Sequence, residues 1–280
     1  MKYLLVIAFA AFIAGCTAQE TQKSDSSNVS VNVQGVIDPG REVYESLNQS
    51  AIRAKSLSAD GAITLKQGSS SQSGSFELKS KRIDQAGTRV DSLSMIVSGP
   101  FGITAAKFMG SPKEYAFVNV LEGERYRGKP DPKTIEEMTG MKGLTIEALS
   151  NVIYGLAPNL ERLAPADSAL LRSVGKDEHY LYVRRMQPAI TEMMRLRGTI
   201  GGSSPLSITE YQRWNKAVPL TSTSMPAADL AIYYEGVIAS EKYRLPNYIR
   251  AKSSGKELEV EYRNVKQNPD PLTVRIKIPE

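Results

Sequence analysis

Apolar and polar residues alternate one by one through much of this chain, and that period of two limits the fold more than any other feature. Ala62-Ile63-Thr64-Leu65-Lys66 alternates, as does Ser75-Phe76-Glu77-Leu78-Lys79. Ser92 to Ser98 sets Leu93, Met95 and Val97 on one side, and Val274, Ile276 and Ile278 line up likewise near the end. Successive side chains of a strand point to opposite faces, so each segment predicts a strand with one face buried. Residues 103–109, 114–121, 178–186, 190–198, 207–214, 230–235, 247–253, 257–265 and 272–278 predict further strands. Gly61, the 68–74 stretch and Gly87 punctuate the series, and short connections favour antiparallel neighbours.

A few helical segments interrupt the pattern. Residues 41–49 form one. Asp131-Pro132 supplies an N-cap side chain followed by proline at the first helical position, which predicts a helix over 133–139 that stops at Gly140. Thr145 caps another, with Ile146, Leu149, Val152 and Ile153 on one face, and Gly155 and Pro158 end it. Many strands with few short helices predict a mainly β fold, one curved antiparallel sheet with a helical cover.

The N-terminus carries an export signal. Met1-Lys2 is a short positive start and residues 3–13 are apolar. That run falls short of the ~20 residues a membrane-spanning helix needs. It matches the apolar core of a secretory signal, about 7–15 residues. It ends in Ile13-Ala14-Gly15-Cys16, the bacterial lipobox pattern, in which small residues admit the peptidase and the thiol takes the lipid. An ordinary signal that happens to contain a cysteine is the competing reading. Cys16 is the sole cysteine, so no disulfide forms within the chain. Thr17 stands where an aspartate would retain a lipoprotein in the inner membrane, which points to the outer membrane, facing the periplasm. Residues 17–34 are rich in Ser, Thr, Gln and Asn and read as a flexible tether. The expected organisation is a signal peptide over 1–15, a tether over 16–40 and a single domain over 41–280. A net charge of +5 suits a solvated surface or anionic lipid, and no nucleic-acid recognition motif is present.

Catalytic groups are sparse. His179 is the only histidine and lies in an alternating strand. It reads as structural; the competing reading is a general base for a serine, but the sequence has no Gly-x-Ser-x-Gly elbow to present one. One histidine and one cysteine make no transition-metal cluster, and no cofactor is expected. Gly198-Thr199-Ile200-Gly201-Gly202 lacks the lysine of a phosphate loop and reads as a hairpin turn. Glu136-Glu137 reads as a solvated helix face. Pro100, Phe101 and Gly102 form a tight turn between two good strands. Phe101 there either folds back onto the sheet or stands out as an apolar tip able to touch a membrane.

From Leu93 to Pro158 the residues resemble the LolB-like outer-membrane lipoproteins and the DUF4292-type lipoproteins. The Leu93–Gly102 strand and turn, the Gly123-Glu124-Arg125-Tyr126 element, Thr139-Gly140-Met141 and the Leu149–Pro158 element carry the likeness. Leu245-Pro246-Asn247 followed by strands resembles the ending of the LolA and LolB folds. The likeness covers about residues 51–165 and 243–279. The 173–241 region is longer than in that family, and a Trp-rich N-terminal helix is missing.

The resemblance implies an incomplete antiparallel β-barrel with a short helical lid over an apolar cavity for acyl chains. The implied cavity is lined by Ile63, Leu65, Phe76, Leu78, Leu93, Met95 and Val97, with Leu149, Val152 and Ile153 from the lid. It implies a monomeric, non-enzymatic receptor that takes acylated lipoprotein cargo from a soluble LolA-type periplasmic carrier into outer-membrane lipid. Phe101 occupies the position of that family's protruding membrane-delivery residue. The alternative is a structural or envelope-interaction lipoprotein whose β core is filled.

Overall fold

The computed structural model describes residues 38–267, apart from 54, 86–87, 140, 143, 203–205, 220–224 and 240–243. The signal, Cys16, most of the tether and the strand expected over 272–278 lie outside the described residues. The first helix, α1 (Pro39–Arg53), starts earlier than the sequence predicts. Asp38 Oδ1 accepts from the amides of Gly40 and Arg41, and Pro39 holds the first helical position. The Asp-Pro signal that marks the 131–132 start therefore operates here as well.

Six strands follow: β1 (Ser56–Gln67), β2 (Ser70–Gln85), β3 (Thr88–Ser98), β4 (Thr104–Gly110), β5 (Tyr115–Asn119) and β6 (Glu124–Gly128). Two helices come next, α2 (Pro132–Thr139) and α3 (Ile146–Ile153). Thr145 caps α3 as its spacing predicts, its hydroxyl accepting from the Ala148 amide at 3.0 Å. The chain then forms β7 (Ser168–Ser173), β8 (Glu178–Arg185), β9 (Ile190–Arg197), β10 (Ser207–Trp214) and β11 (Leu230–Glu235). A two-stranded ribbon, β12 (Ile238–Ala239) with β13 (Arg244–Leu245), precedes β14 (Tyr248–Ser253) and β15 (Lys256–Gln267). β6 and β7 were not predicted as strands, and β5 ends at Asn119 rather than at 121.

The strands build one strongly curved, open antiparallel sheet of 13 strands, mainly β as the alternation predicts. From β1 the chain steps outward to the edge strand β6. Residues 129–167 carry it across to the other edge, β7, and it steps back to β15, which pairs with β1. Register places Leu57, Ala59, Ile63 and Leu65 on the same face as Phe76 and Leu78, and as Leu93, Met95 and Val97. That face continues through Tyr262 and Val260, Ile249, Tyr234 and Ile232, Tyr211, Met194 and Leu181. It is the concave face. α1 and α3 bury their apolar residues against it in one continuous core. The convex face carries a small second core of Met193, Trp214 and Val218, against which Met225 and Ala228 pack.

Candidate functional site

The concave face changes character along its strands. Its two rims are set by register. Turns β1–β2, β3–β4, β5–β6, β8–β9 and β14–β15 leave one rim, and β4–β5, β7–β8 and β9–β10 leave the other. Toward the second rim the face is sealed under α3. Leu57, Phe76, Leu78, Leu93, Val152 and Ile153 are all buried there, and Phe76 meets Tyr262 edge to face with ring centroids 5.9 Å apart. Toward the first rim, Ile63, Leu65, Leu258 and Val260 are only half-buried, as are Val97, Met95 and Phe108 on β3 and β4, level with Phe76 and Leu78, and Leu149 on α3. Of the ten residues expected to line a cavity, seven share the concave face and three lie on α3; five of the ten are buried in the packed core and five are half-buried. The half-buried residues form an apolar mouth on this face that reaches the first rim at Leu65 and Leu258, a surface suited to hydrocarbon.

Polar anchors beneath α3 hold the helical cover on the sheet. Arg82 is buried beneath α3. Its Nη2 donates to Asn151 Oδ1 at 2.8 Å, Nε lies 3.7 Å from Asp91 Oδ2, and its guanidinium sits 4.1 Å over the Tyr154 ring. Tyr262 and Tyr234 donate their hydroxyls to the Ile153 and Leu156 carbonyls at 3.1 and 2.6 Å. Burial holds both phenols well above their ordinary pKa, so they remain donors. A second cluster ties α1 to the 159–161 segment. Arg185 Nη2 donates to the Tyr44 hydroxyl and to the Asn159 carbonyl, both at 2.7 Å, and its Nε meets buried Glu192 at 2.9 Å. Nothing in the sequence singles out Arg82: it follows Lys79-Ser80-Lys81 in a basic run with no mark of burial.

The Pro100–Gly102 turn leaves the first rim. Phe101 is 99% exposed and adopts a left-handed backbone, φ 61°. Of the two readings of Phe101, packed or projecting, the structure has the projecting one. Gly99 and Ile103 close the turn through an N–H···O bond of 2.9 Å. His179, by contrast, is buried and structural in its bonding. Its Nε2 donates to the Gly198 carbonyl at 3.0 Å, which leaves Nδ1 to accept from the Ser173 hydroxyl at 2.8 Å. The Gly198–Gly202 segment lies in the β9–β10 connection, as a turn should. A separate groove of about 620 Å³ lies on the convex face between Met225–Ala228 and Lys252–Glu257, away from the apolar mouth.

No family model matches the sequence, and no curated protein matches it. Solved structures do. A DUF1329 family protein from Desulfovibrio piger is similar with TM-score 0.59 and 11% identity, over 84% of this chain and 95% of that one. A domain from Vibrio parahaemolyticus, described as an outer membrane lipoprotein-sorting protein domain, gives TM-score 0.54 and 12% identity over 82% of this chain and 93% of that one. The chain shares their fold. It is a curved, open antiparallel sheet with a few helices on its concave face, the mainly β fold class expected from the sequence.

Proposed function

We propose that this chain is an outer-membrane lipoprotein, anchored through acylated Cys16 and facing the periplasm, that receives acyl chains of lipoprotein cargo and passes them to the bilayer. One observation carries the reading: the half-buried apolar residues of the concave face extend to the rim from which Phe101 projects. Each acyl CH₂ that leaves water contributes ~0.8 kcal/mol, so a short stretch of chain in the mouth suffices for useful affinity. Full insertion of the Phe101 ring into lipid adds about 1.5–3 kcal/mol. Transfer then needs no covalent chemistry, only a gradient from a soluble LolA-type carrier to this protein and on to the membrane. The Ile13-Ala14-Gly15-Cys16 pattern and the absence of Asp at 17 support the anchor and its membrane. The protein acts as a monomer in this scheme.

The test is native mass spectrometry of a signal-less Cys16→Ala protein mixed with an acylated lipopeptide. A bound lipopeptide or copurified lipid is expected. Protein that remains empty at every lipopeptide concentration would leave a structural envelope lipoprotein in its place. The buried Phe76, Leu78 and Leu93 favour that second reading for the sealed half of the sheet only.

A further inference from the structure

Phe101 has a neighbour on its rim. The β5–β6 turn, Val120 to Gly123, leaves the sheet two strands away, about 10 Å at the usual strand spacing. Leu121 is 70% exposed and Val120 43%, and Ile103 beside Phe101 is 58% exposed. The two turns are joined at their bases, since the Val120 amide donates to the Ala105 carbonyl at 2.9 Å. Buried Asn119 shapes the second turn. Its side-chain oxygen accepts from the Glu122 amide and its Nδ2 donates to Glu122 Oε2 at 2.7 Å. The one carboxylate of the turn is thereby engaged by Asn119, beside the apolar tip.

The same rim receives the chain from its N-terminal side. Gly40 lies against the Ala169 backbone and Arg41 Nη2 donates to the Ala164 and Asp167 carbonyls, all at the start of β7. Register puts the start of β7 on the rim of Phe101. Cys16 precedes Asp38 by 22 residues, a stretch that reaches at most about 75 Å when fully extended. On the opposite rim, exposed Val174, Ile200 and Val237 stand singly on three separate turns, an ordinary surface distribution.

We propose that the Val120–Leu121 turn is a second bilayer-inserted element. Acting with Phe101 and Ile103, it sets the open apolar mouth down onto the phospholipid surface. The inference rests on the acyl-receptor reading above. Two tips joined at their bases fix a tilt, where a single tip leaves the domain free to swivel about its contact. Convex apolar tips fit a fluid lipid surface, which needs no complementary pocket. An acyl chain leaving the mouth then meets lipid directly instead of crossing water.

The test uses the full-length, acylated protein in phospholipid vesicles. Acylation occupies the only native thiol, so Phe101→Cys, Leu121→Cys and Val237→Cys each offer one site for an environment-sensitive fluorophore. Lipid-borne spin labels serve as quenchers. A blue shift and quenching are expected at 101 and at 121, with neither at 237. A probe at 121 that stays in water while 101 reports lipid overturns this inference and leaves the receptor reading standing. Water at both positions overturns both. A shift at 121 that appears without vesicles and grows with protein concentration assigns the turn to a second copy of the chain, and also overturns the inference.

Discussion

Phe101 is disfavoured twice over where it sits. A left-handed backbone costs a non-glycine residue roughly 1–2 kcal/mol, and a fully exposed ring gives no packing in return. Backbone strain of this kind concentrates at sites where function requires it. Phe101→Gly removes the strain but adds about 0.5–1 kcal/mol of chain entropy to the unfolded state. The balance predicts a net gain of roughly 0.5–1 kcal/mol, seen as a higher midpoint in urea, together with weaker delivery to membranes. An unchanged or lower midpoint would show that the ring or its backbone is stabilised by contacts in the folded state. The tight turn was legible in the sequence from Gly99-Pro100-Phe101-Gly102. The direction of the ring was not, because spacing specifies a turn but not which way its side chain rotates.

At the level of elements, α3 shows what periodicity reads and what it misses. Its apolar stripe was legible, and so was the Thr145 cap. The stripe predicts one buried face, yet Ser150 and Asn151 on the other side are buried too. Arg82 makes that possible by donating to both side chains from the sheet beneath. Removing one member of a buried ion pair costs about 3–5 kcal/mol, because the remaining charge is left uncompensated. Arg82→Ala is therefore expected to lower stability by that order, measured by urea unfolding, while Lys79→Ala, exposed on the same strand, changes little. A loss under 1 kcal/mol for Arg82→Ala would make the cluster no stronger than a surface pair. β6 and β7 escaped the sequence for another reason. Both are edge strands. Glu124-Arg125-Tyr126-Arg127-Gly128 carries charges, and Ala169-Leu170-Leu171 breaks alternation, as strands with one free edge tolerate. Leu121 was hidden inside a predicted strand that Asn119 cuts short.

At the scale of the molecule, the alternation sufficed for a curved β sheet with a helical cover but gave no strand order. Pairing β1 with β15 is a long-range choice that local pattern does not encode. The sealed and open halves of the concave face were likewise illegible, since both are apolar in sequence and differ only in what the helices cover. That division makes a further prediction. Met95 and Val97 are half-buried on the apolar face, so Met95→Trp and Val97→Trp should obstruct an incoming chain. Uptake of a fluorescent acyl probe is expected to fall in both variants with little change in melting temperature. Uptake equal to the parent in both would move the acyl site off this surface.

The pairing of β1 with β15 also bears on how such a chain is made. Lys66 on β1 and Glu257 on β15 meet at 3.3 Å although 191 residues separate them. A chain threaded through an export channel from its N-terminus delivers β1 early and its partner near the end. Throughout that interval one long edge of β1 is an open template for stray strands. The sheet grows outward from β1 on one side first, so under the proposed export the N-terminal half is a half-finished surface waiting in the periplasm. Periplasmic holding chaperones should therefore matter most to this protein in the moments before its last described strand emerges.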